Sequence, residues 1–185
     1  MYTELERAIH FVFIAFNNQK RIKEDINLAF HSVSVAAMLA EEKCNYETIL
    51  IGLLHDIIED TDYTYDDLKN MYNDTIADSV LLLSEKQNII DFKERKLEFI
   101  SRISKANENI ILIEIADKLQ NLLSDYEKFQ KYGKEALATL GTTYEMNKWY
   151  YLEMLKLFES KITNSKLLER YKDIVNIYFK EDIYE

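Results

Sequence analysis

The stretch Leu53–Thr61, LLHDIIEDT, places a His-Asp doublet directly after an apolar run of the chain. His55 and Asp56 form the doublet, and two further acids, Glu59 and Asp60, follow within four residues. Burying ionisable groups beside an apolar run costs several kcal/mol unless they are paired. A divalent metal ion is the simplest partner for an imidazole next to a carboxylate. A capped buried helix whose acids reach solvent would give the same pattern, so the rest of the chain has to decide.

Composition predicts a single all-α domain over residues 1–185, long enough to bury a sizeable core. Apolar residues make up 48% of the chain, so it is not disordered. There is no proline and there are only three glycines, too few turn formers for a many-stranded sandwich or barrel. Apolar positions at helical spacing indicate about eight to ten helices instead.

The net charge and the single cysteine restrict which partners and which cellular compartment the sequence is compatible with. A net charge of −10 disfavours nucleic acid or an anionic membrane as the main partner. It is compatible with a small anionic substrate held by a few local cations. No apolar run approaches the roughly 20 residues of a membrane-spanning helix, and the N-terminus lacks a signal-peptide pattern. The lone Cys44 permits no internal disulfide. We therefore expect a cytoplasmic protein.

The helical spacing also predicts where the remaining features lie. Helices are expected over residues 2–18, 27–42, 45–55, 75–85, 91–104, 108–124, 142–160 and 163–180, with a further helix starting after Thr64 as its cap. The polar stretch 17–25 is predicted to be a loop, and the charged cluster Glu94–Lys96 to be a solvent-exposed helix face. Trp149, Tyr150 and Tyr151 are expected to pack as core aromatics.

Three of the predicted helices carry ionisable residues at apolar faces. His31 lies on the apolar side of the second helix, His55 and Asp56 end the third, and Asp117 directly follows the apolar residues 110–113, 115 and 116. Two imidazoles with two carboxylates suit Mn²⁺, Zn²⁺ or Fe²⁺ better than Ca²⁺, which prefers oxygen ligands. Bound there, such an ion would lower the pKa of a water molecule and polarise a phosphoryl group.

Several segments match motifs of a known family in order and spacing: Phe16–Arg21, Leu53–Thr61, residues 84–86, residues 94–96 and Ile115–Asn121. Through them the sequence resembles the HD-domain phosphohydrolases, and among these the hydrolase domain of RelA/SpoT-type alarmone enzymes and their small stand-alone relatives. The resemblance covers residues 5–155. It implies a single HD-type helical bundle.

The resemblance also implies a role for each matching residue. Four would bind one Mn²⁺-like ion, with Zn²⁺ or Fe²⁺ as alternatives: His31, His55, Asp56 and Asp117. Glu59 and Asp60 would orient or deprotonate the attacking water. Four others would contact the substrate: Lys20, Arg21, Lys23 and Asn121. A solvated charged loop is the alternative for Lys20 and Lys23.

The implied reaction removes the 3′-pyrophosphate of guanosine 3′,5′-bis(diphosphate), (p)ppGpp, or of a similar nucleotide. The first loop departs from the family pattern: Phe16 replaces a histidine, Ile22 replaces the second residue of an Arg-Lys pair, and Lys23 comes one place late. The metal-binding and water-activating residues match the family, whereas this loop does not. The resemblance therefore supports hydrolysis more firmly than it supports (p)ppGpp as the substrate.

Two alternatives to this reaction stay open. One is an HD phosphatase acting on NADPH or another nucleotide monoester. The other is a non-catalytic nucleotide-binding module, against which the intact Glu59 and Asp60 argue. The long C-terminal helices could also mediate a homo-oligomer.

Overall fold

The structure of this chain is a computed structural model that describes residues 2–17, 19–21, 25–133 and 142–180. Within these ranges the regular structure is helical, apart from one isolated antiparallel bridge between Lys20 and Asn27. The predicted all-α class is therefore confirmed. In chain order the helices are α1 (Glu4–Ala15), α2 (Ala29–Glu41), α3 (Tyr46–Leu54), α4 (Ile57–Asp60), α5 (Tyr65–Met71), α6 (Asp74–Leu83), α7 (Phe92–Ile103), α8 (Glu108–Tyr132), α9 (Tyr144–Lys161) and α10 (Lys166–Lys180).

Helix boundaries follow local capping chemistry. Asn45 caps α3 by accepting a hydrogen bond from the Thr48 N–H at 2.9 Å. The helix ends before the doublet, so that His55 and Asp56 occupy the break between α3 and the single turn of α4. The predicted helix over 108–124 is too short, since α8 continues to Tyr132 and ends at Gly133, whose φ of +70° favours glycine.

The core is organised around α8, which contacts α2, α3, α6, α9 and α10. Helix α3 is almost entirely apolar because it is covered on several sides, by α1, α2, α6 and α8. At Gly52 of α3 a Cβ atom would overlap Cδ1 of Leu39 in α2. This close approach of α2 and α3 brings the His31 and His55 rings together, with centroids 5.0 Å apart.

The C-terminal helices add an aromatic layer against α8. Tyr178 on α10 stacks on Phe179 at a centroid distance of 4.4 Å and also contacts Tyr126 and Phe129 of α8. Tyr171 is fully buried and donates a hydrogen bond to the Tyr151 carbonyl at 3.0 Å. None of the described helices has the length and apolar character needed to cross a membrane.

Removing the N-terminal cap of α8 should measurably destabilise the fold. Asn107 Oδ1 accepts a hydrogen bond from the Ile110 N–H at 3.1 Å. We expect Asn107→Ala to lower the free energy of unfolding by about 1 kcal/mol, as is typical for losing such a cap, and Asn107→Asp to preserve it. Urea denaturation measures both. Asn88→Ala, at an exposed position between α6 and α7, is the control, and an equal loss in that variant would contradict the capping role.

Candidate active site

The four predicted metal ligands lie together where α2, α3 and α8 meet. His31 Nε2 is 3.1 Å from His55 Nε2 and 3.1 Å from Asp117 Oδ1. Asp56 lies across both imidazoles, with Oδ2 3.3 Å from His31 Nε2 and Oδ1 3.0 Å from His55 Nε2. His31, His55 and Asp117 are at most 4% exposed. One nitrogen or oxygen from each of these three residues lies within 4.8 Å of the others.

The hydrogen bonds of the two imidazoles leave atoms facing this cluster that could bind a cation. His55 Nδ1 lies 2.8 Å from the Gly52 carbonyl, and His31 Nδ1 lies 2.6 Å from Gln120 Oε1. A carbonyl oxygen only accepts, so each Nδ1 carries the hydrogen in the neutral ring. Both Nε2 atoms then present lone pairs to each other and to two carboxylates. Such converging acceptors suit a divalent metal, and histidine ligands characteristically donate their other N–H in this way.

The shifted pKa values of His55 and Asp117 also favour a cation in this cluster. Burial by itself would lower the pKa of His55, but the charge of Asp56 and the hydrogen bond with Asp117 hold it well above its usual value. Burial would likewise raise the pKa of Asp117, but Lys118 and the two histidines hold it well below its usual range. The site therefore favours positive charge at its centre.

A buried ion network stands behind Asp117. Lys118 Nζ lies 2.6 Å from Asp117 Oδ2 and 3.6 Å from Glu114 Oε2. Glu114 is 1% exposed, and its Oε2 accepts no hydrogen bond from the described residues. Burial raises the pKa of Glu114 to about 7. Asn121 donates a hydrogen bond from Nδ2 to the other Asp117 oxygen at 2.6 Å.

The two acids predicted to act on water occupy different surroundings. Glu59 is anchored by the segment after α6, because its carboxylate accepts hydrogen bonds from the Glu85 N–H at 2.6 Å and from Gln87 Nε2 at 2.9 Å. Burial and the charge of Asp56 raise the pKa of Glu59 to about 8 and that of Asp60 to about 6. Asp60 is nevertheless an exposed residue overall, whereas Glu59 is only partly exposed.

Two adjoining cavities lead to these residues. The inner one has a volume of about 220 Å³ and the outer one of about 420 Å³. The residues that line both are Arg21, Leu28, Asp60, Lys96, Lys118 and Asn121. The inner cavity also reaches three of the predicted ligands, which are His31, Asp56 and Asp117. A ligand in the outer cavity could therefore extend one end to the metal cluster.

The structure places the predicted substrate residues in three different situations. Arg21 points inward and donates hydrogen bonds to Gln120 Oε1 and, at 2.8 Å, to Asn121 Oδ1. Lys20 lines the outer cavity, but its side chain is 60% exposed and pairs with Asp25. Lys23 lies outside the described residues. Arg21 and Asn121 thus line both cavities, whereas Lys20 lies at the edge of the outer one.

The expectation of a solvent-exposed face at Glu94–Lys96 is wrong for Arg95 and Lys96. Their side chains are 21% and 15% exposed, and both pair with Glu85. Lys96 lines both cavities and lies over the Tyr150 ring at 4.4 Å. Helical spacing could have found it, since Phe92, Lys96, Phe99 and Ile103 form one stripe.

The predicted core aromatics of α9 also form a wall of the outer cavity. Tyr150 and Tyr151 are 4% and 5% exposed, as expected for core residues, and both line the cavity. Trp149 is only partly buried and packs against the core from outside it. The Tyr151 hydroxyl donates a hydrogen bond to Asp125 Oδ2 at 2.9 Å, and Asn147 Nδ2 donates to the same oxygen at 3.3 Å. The polar atoms of Tyr151, Asp125 and Asn147 therefore make this wall capable of hydrogen bonding.

Comparison with known proteins assigns the chain to a family. A family model described as an HD domain matches residues 8–141, and the chain therefore belongs to the HD-domain family. HD domains bind a divalent metal, in agreement with the His-His-Asp cluster described above. A solved structure of a metazoan ortholog of SpoT that hydrolyzes ppGpp has the same fold, with a TM-score of 0.75 at 21% identity over 96% of this chain and 97% of that one.

Two curated relatives are named as (p)ppGpp hydrolases. The chain is 38% identical over 97 residues to the bifunctional (p)ppGpp synthase/hydrolase SpoT of Escherichia coli K12, covering 50% of this chain and 14% of that protein. It is 27% identical over 115 residues to the Drosophila melanogaster guanosine-3′,5′-bis(diphosphate) 3′-pyrophosphohydrolase MESH1, covering 60% of this chain and 64% of that protein. The matched part of the chain thus corresponds to a small fraction of SpoT and to most of MESH1.

Proposed function

We propose that this chain is a metal-dependent hydrolase that removes the 3′-pyrophosphate of (p)ppGpp or of a similar phosphorylated nucleotide. The observation that carries the proposal is the convergence of His31, His55, Asp56 and Asp117 at the end of a cavity lined by cations. The names of the curated relatives, (p)ppGpp hydrolases, support the choice of substrate class. Two imidazoles and two carboxylates would hold one divalent cation, for which we propose Mn²⁺.

When bound, the cation would supply polarisation of a phosphoryl oxygen and a lowered pKa for water. We propose that the Asp60 carboxylate takes the proton from the attacking water. It lines the inner cavity and is exposed to solvent. Glu59 lines the same cavity while held by Glu85 and Gln87, so it is rigid enough to orient that water.

The cations of the cavity would bind the phosphate groups. Lys96 and Lys118 are largely buried and line both cavities, and a buried ammonium group interacts strongly with an anion because water screens it poorly. Arg21 is placed to add a planar donor group at the boundary between the cavities. Asn121, four residues after Asp117, would contact the sugar or a phosphate. We further propose that the protein acts in the cytoplasm.

A phosphorus NMR screen tests this function directly. Purified protein with Mn²⁺ is incubated with ppGpp, pppGpp, NADPH and nucleoside monophosphates, and the products are resolved. We expect pyrophosphate from ppGpp, with the activity lost after EDTA treatment and restored by Mn²⁺. Repeating the restoration with Zn²⁺ and Fe²⁺ identifies the preferred metal. No turnover of any of these nucleotides, with any of the three metals, would contradict the proposal.

One observation favours keeping a second candidate in the same screen. Phe16, where the resembling family has a polar histidine, is fully buried in the core, so the loop that would read the substrate differs in this chain. Orthophosphate released from NADPH, rather than pyrophosphate from ppGpp, would identify an HD phosphatase for nucleotide monoesters. Tight ppGpp binding by calorimetry without turnover would identify a binding module.

A further inference from the structure

Gln120 connects Arg21, a predicted substrate-binding residue, to His31, a predicted metal ligand. It lies on α8 between Asp117 and Asn121 and is 8% exposed. Its Oε1 lies 2.6 Å from His31 Nδ1 and also accepts a hydrogen bond from Arg21 Nη1. One amide oxygen therefore joins two residues that are distant in sequence.

The chemistry of Arg21 decides which atom of the Gln120 amide faces His31. A guanidinium has donors and no acceptor, so the Gln120 atom beside it must be the oxygen. His31 Nδ1, which faces the same oxygen, must then carry the hydrogen. The neutral imidazole has only one ring hydrogen, and the Nε2 lone pair is therefore directed at the metal cluster.

Without Arg21 the same amide could rotate by 180° and present its NH₂ group to His31. That orientation would require an acceptor at Nδ1 and would place the ring hydrogen on Nε2, directed at the metal cluster. A second hydrogen bond of Arg21 also fixes the orientation of an amide. Its Nη2 donates to Asn121 Oδ1 at 2.8 Å, which directs the Asn121 NH₂ group to Asp117.

We propose that Arg21, acting through Gln120, sets the tautomer of His31, and that Gln120 is a positioning residue for the metal site. The inference rests on the proposed metal-dependent function. A change at Arg21 should therefore alter metal affinity even when no nucleotide is present.

Metal affinity of the nucleotide-free protein tests this link. Mn²⁺ dissociation constants are measured by calorimetry for the wild type, Gln120→Leu and Gln120→Glu. We expect Gln120→Leu to weaken binding by about 10- to 100-fold, as is usual for losing such a partner of a ligand. Gln120→Glu keeps an acceptor for His31 and should stay near the wild type. Gln130→Leu, an exposed position on the same helix, is the matched control.

Arg21→Met provides the decisive comparison, made in two backgrounds. In the wild-type background it should weaken Mn²⁺ binding by roughly tenfold, the lower end of the same range, because the Gln120 amide becomes free to rotate. In the Gln120→Glu background it should not weaken binding, because a carboxylate presents an acceptor in either orientation. Equal weakening in both backgrounds would overturn the inference, and so would unchanged affinity in Gln120→Leu. A wild type that does not bind Mn²⁺, Zn²⁺ or Fe²⁺ would instead overturn the proposed function.

Discussion

Replacing Asp56 by asparagine should reduce Mn²⁺-stimulated ppGpp hydrolysis by at least about 1,000-fold, because metal-assisted catalysis supplies several kcal/mol and each 1.4 kcal/mol is a factor of ten. Its two carboxylate oxygens lie 3.3 Å from His31 Nε2 and 3.0 Å from His55 Nε2. Asparagine keeps the shape, but it removes the negative charge and presents an NH₂ group to one of the two imidazoles. The measurement is kcat with saturating Mn²⁺.

A matched substitution separates this effect from general loss of an acid. Asp66→Asn removes an exposed carboxylate on α5, and we expect its kcat to match the wild type. Circular dichroism melting checks that both variants fold. If Asp56→Asn folds and turns over ppGpp at the rate of the wild type, the predicted metal ligands are wrong.

Replacing Lys118 by methionine should destabilise the protein by about 3–5 kcal/mol, the usual cost of removing one partner of a buried ion pair. Lys118 lies between Asp117 and Glu114, at 2.6 Å and 3.6 Å. Methionine fills a similar volume but takes the Lys118 charge away from both Glu114 and Asp117. Among the described residues, Asp117 then keeps only its contacts with the two histidines and Asn121. Urea denaturation of the metal-free protein measures the free energy of unfolding.

Two further variants test the stated cause of this loss. Lys156→Met removes an exposed partner of Glu153, in a pair of 2.7 Å with the lysine 71% exposed, and should cost less than about 1 kcal/mol. Glu114→Gln, made together with Lys118→Met, should recover part of the lost stability. The glutamine amide is neutral, whereas the buried Glu114 carboxyl must either stay charged without Lys118 or take up a proton when the chain folds. Equal losses in Lys118→Met and Lys156→Met would contradict a buried network.

Local sequence predicted those parts of the site whose residues share short motifs or helix faces. The spacing of His31 with Val35 and Leu39 places the imidazole on the buried face of α2, where the structure has it at 3% exposure. Asp117 follows a mainly apolar stretch that predicts a helix, and the structure places it buried in α8. Composition alone, without proline and with few glycines, was enough to predict the all-α class, which the structure confirms.

Other parts depended on contacts between residues far apart in the chain. Lys96 belongs to a charged triplet that reads as a solvated face, and only the approach of Glu85 and Tyr150 makes its buried position favourable. Gln120 carries no motif of its own. Its importance comes from Arg21 and His31, which lie 99 and 89 residues away in the sequence.

The sequence by itself determined the helical class, the order of the helices and the His-Asp doublet after an apolar run, because periodicity and capping act over a few residues. Only the tertiary structure decided which ionisable groups meet. The approach of α2 to α3 at Gly52 and the passage of α8 beside them bring His31, His55 and Asp117 within reach of one ion. Their protonation then depends on buried partners such as Gln120 and Lys118, and such partners are set by packing rather than by local pattern.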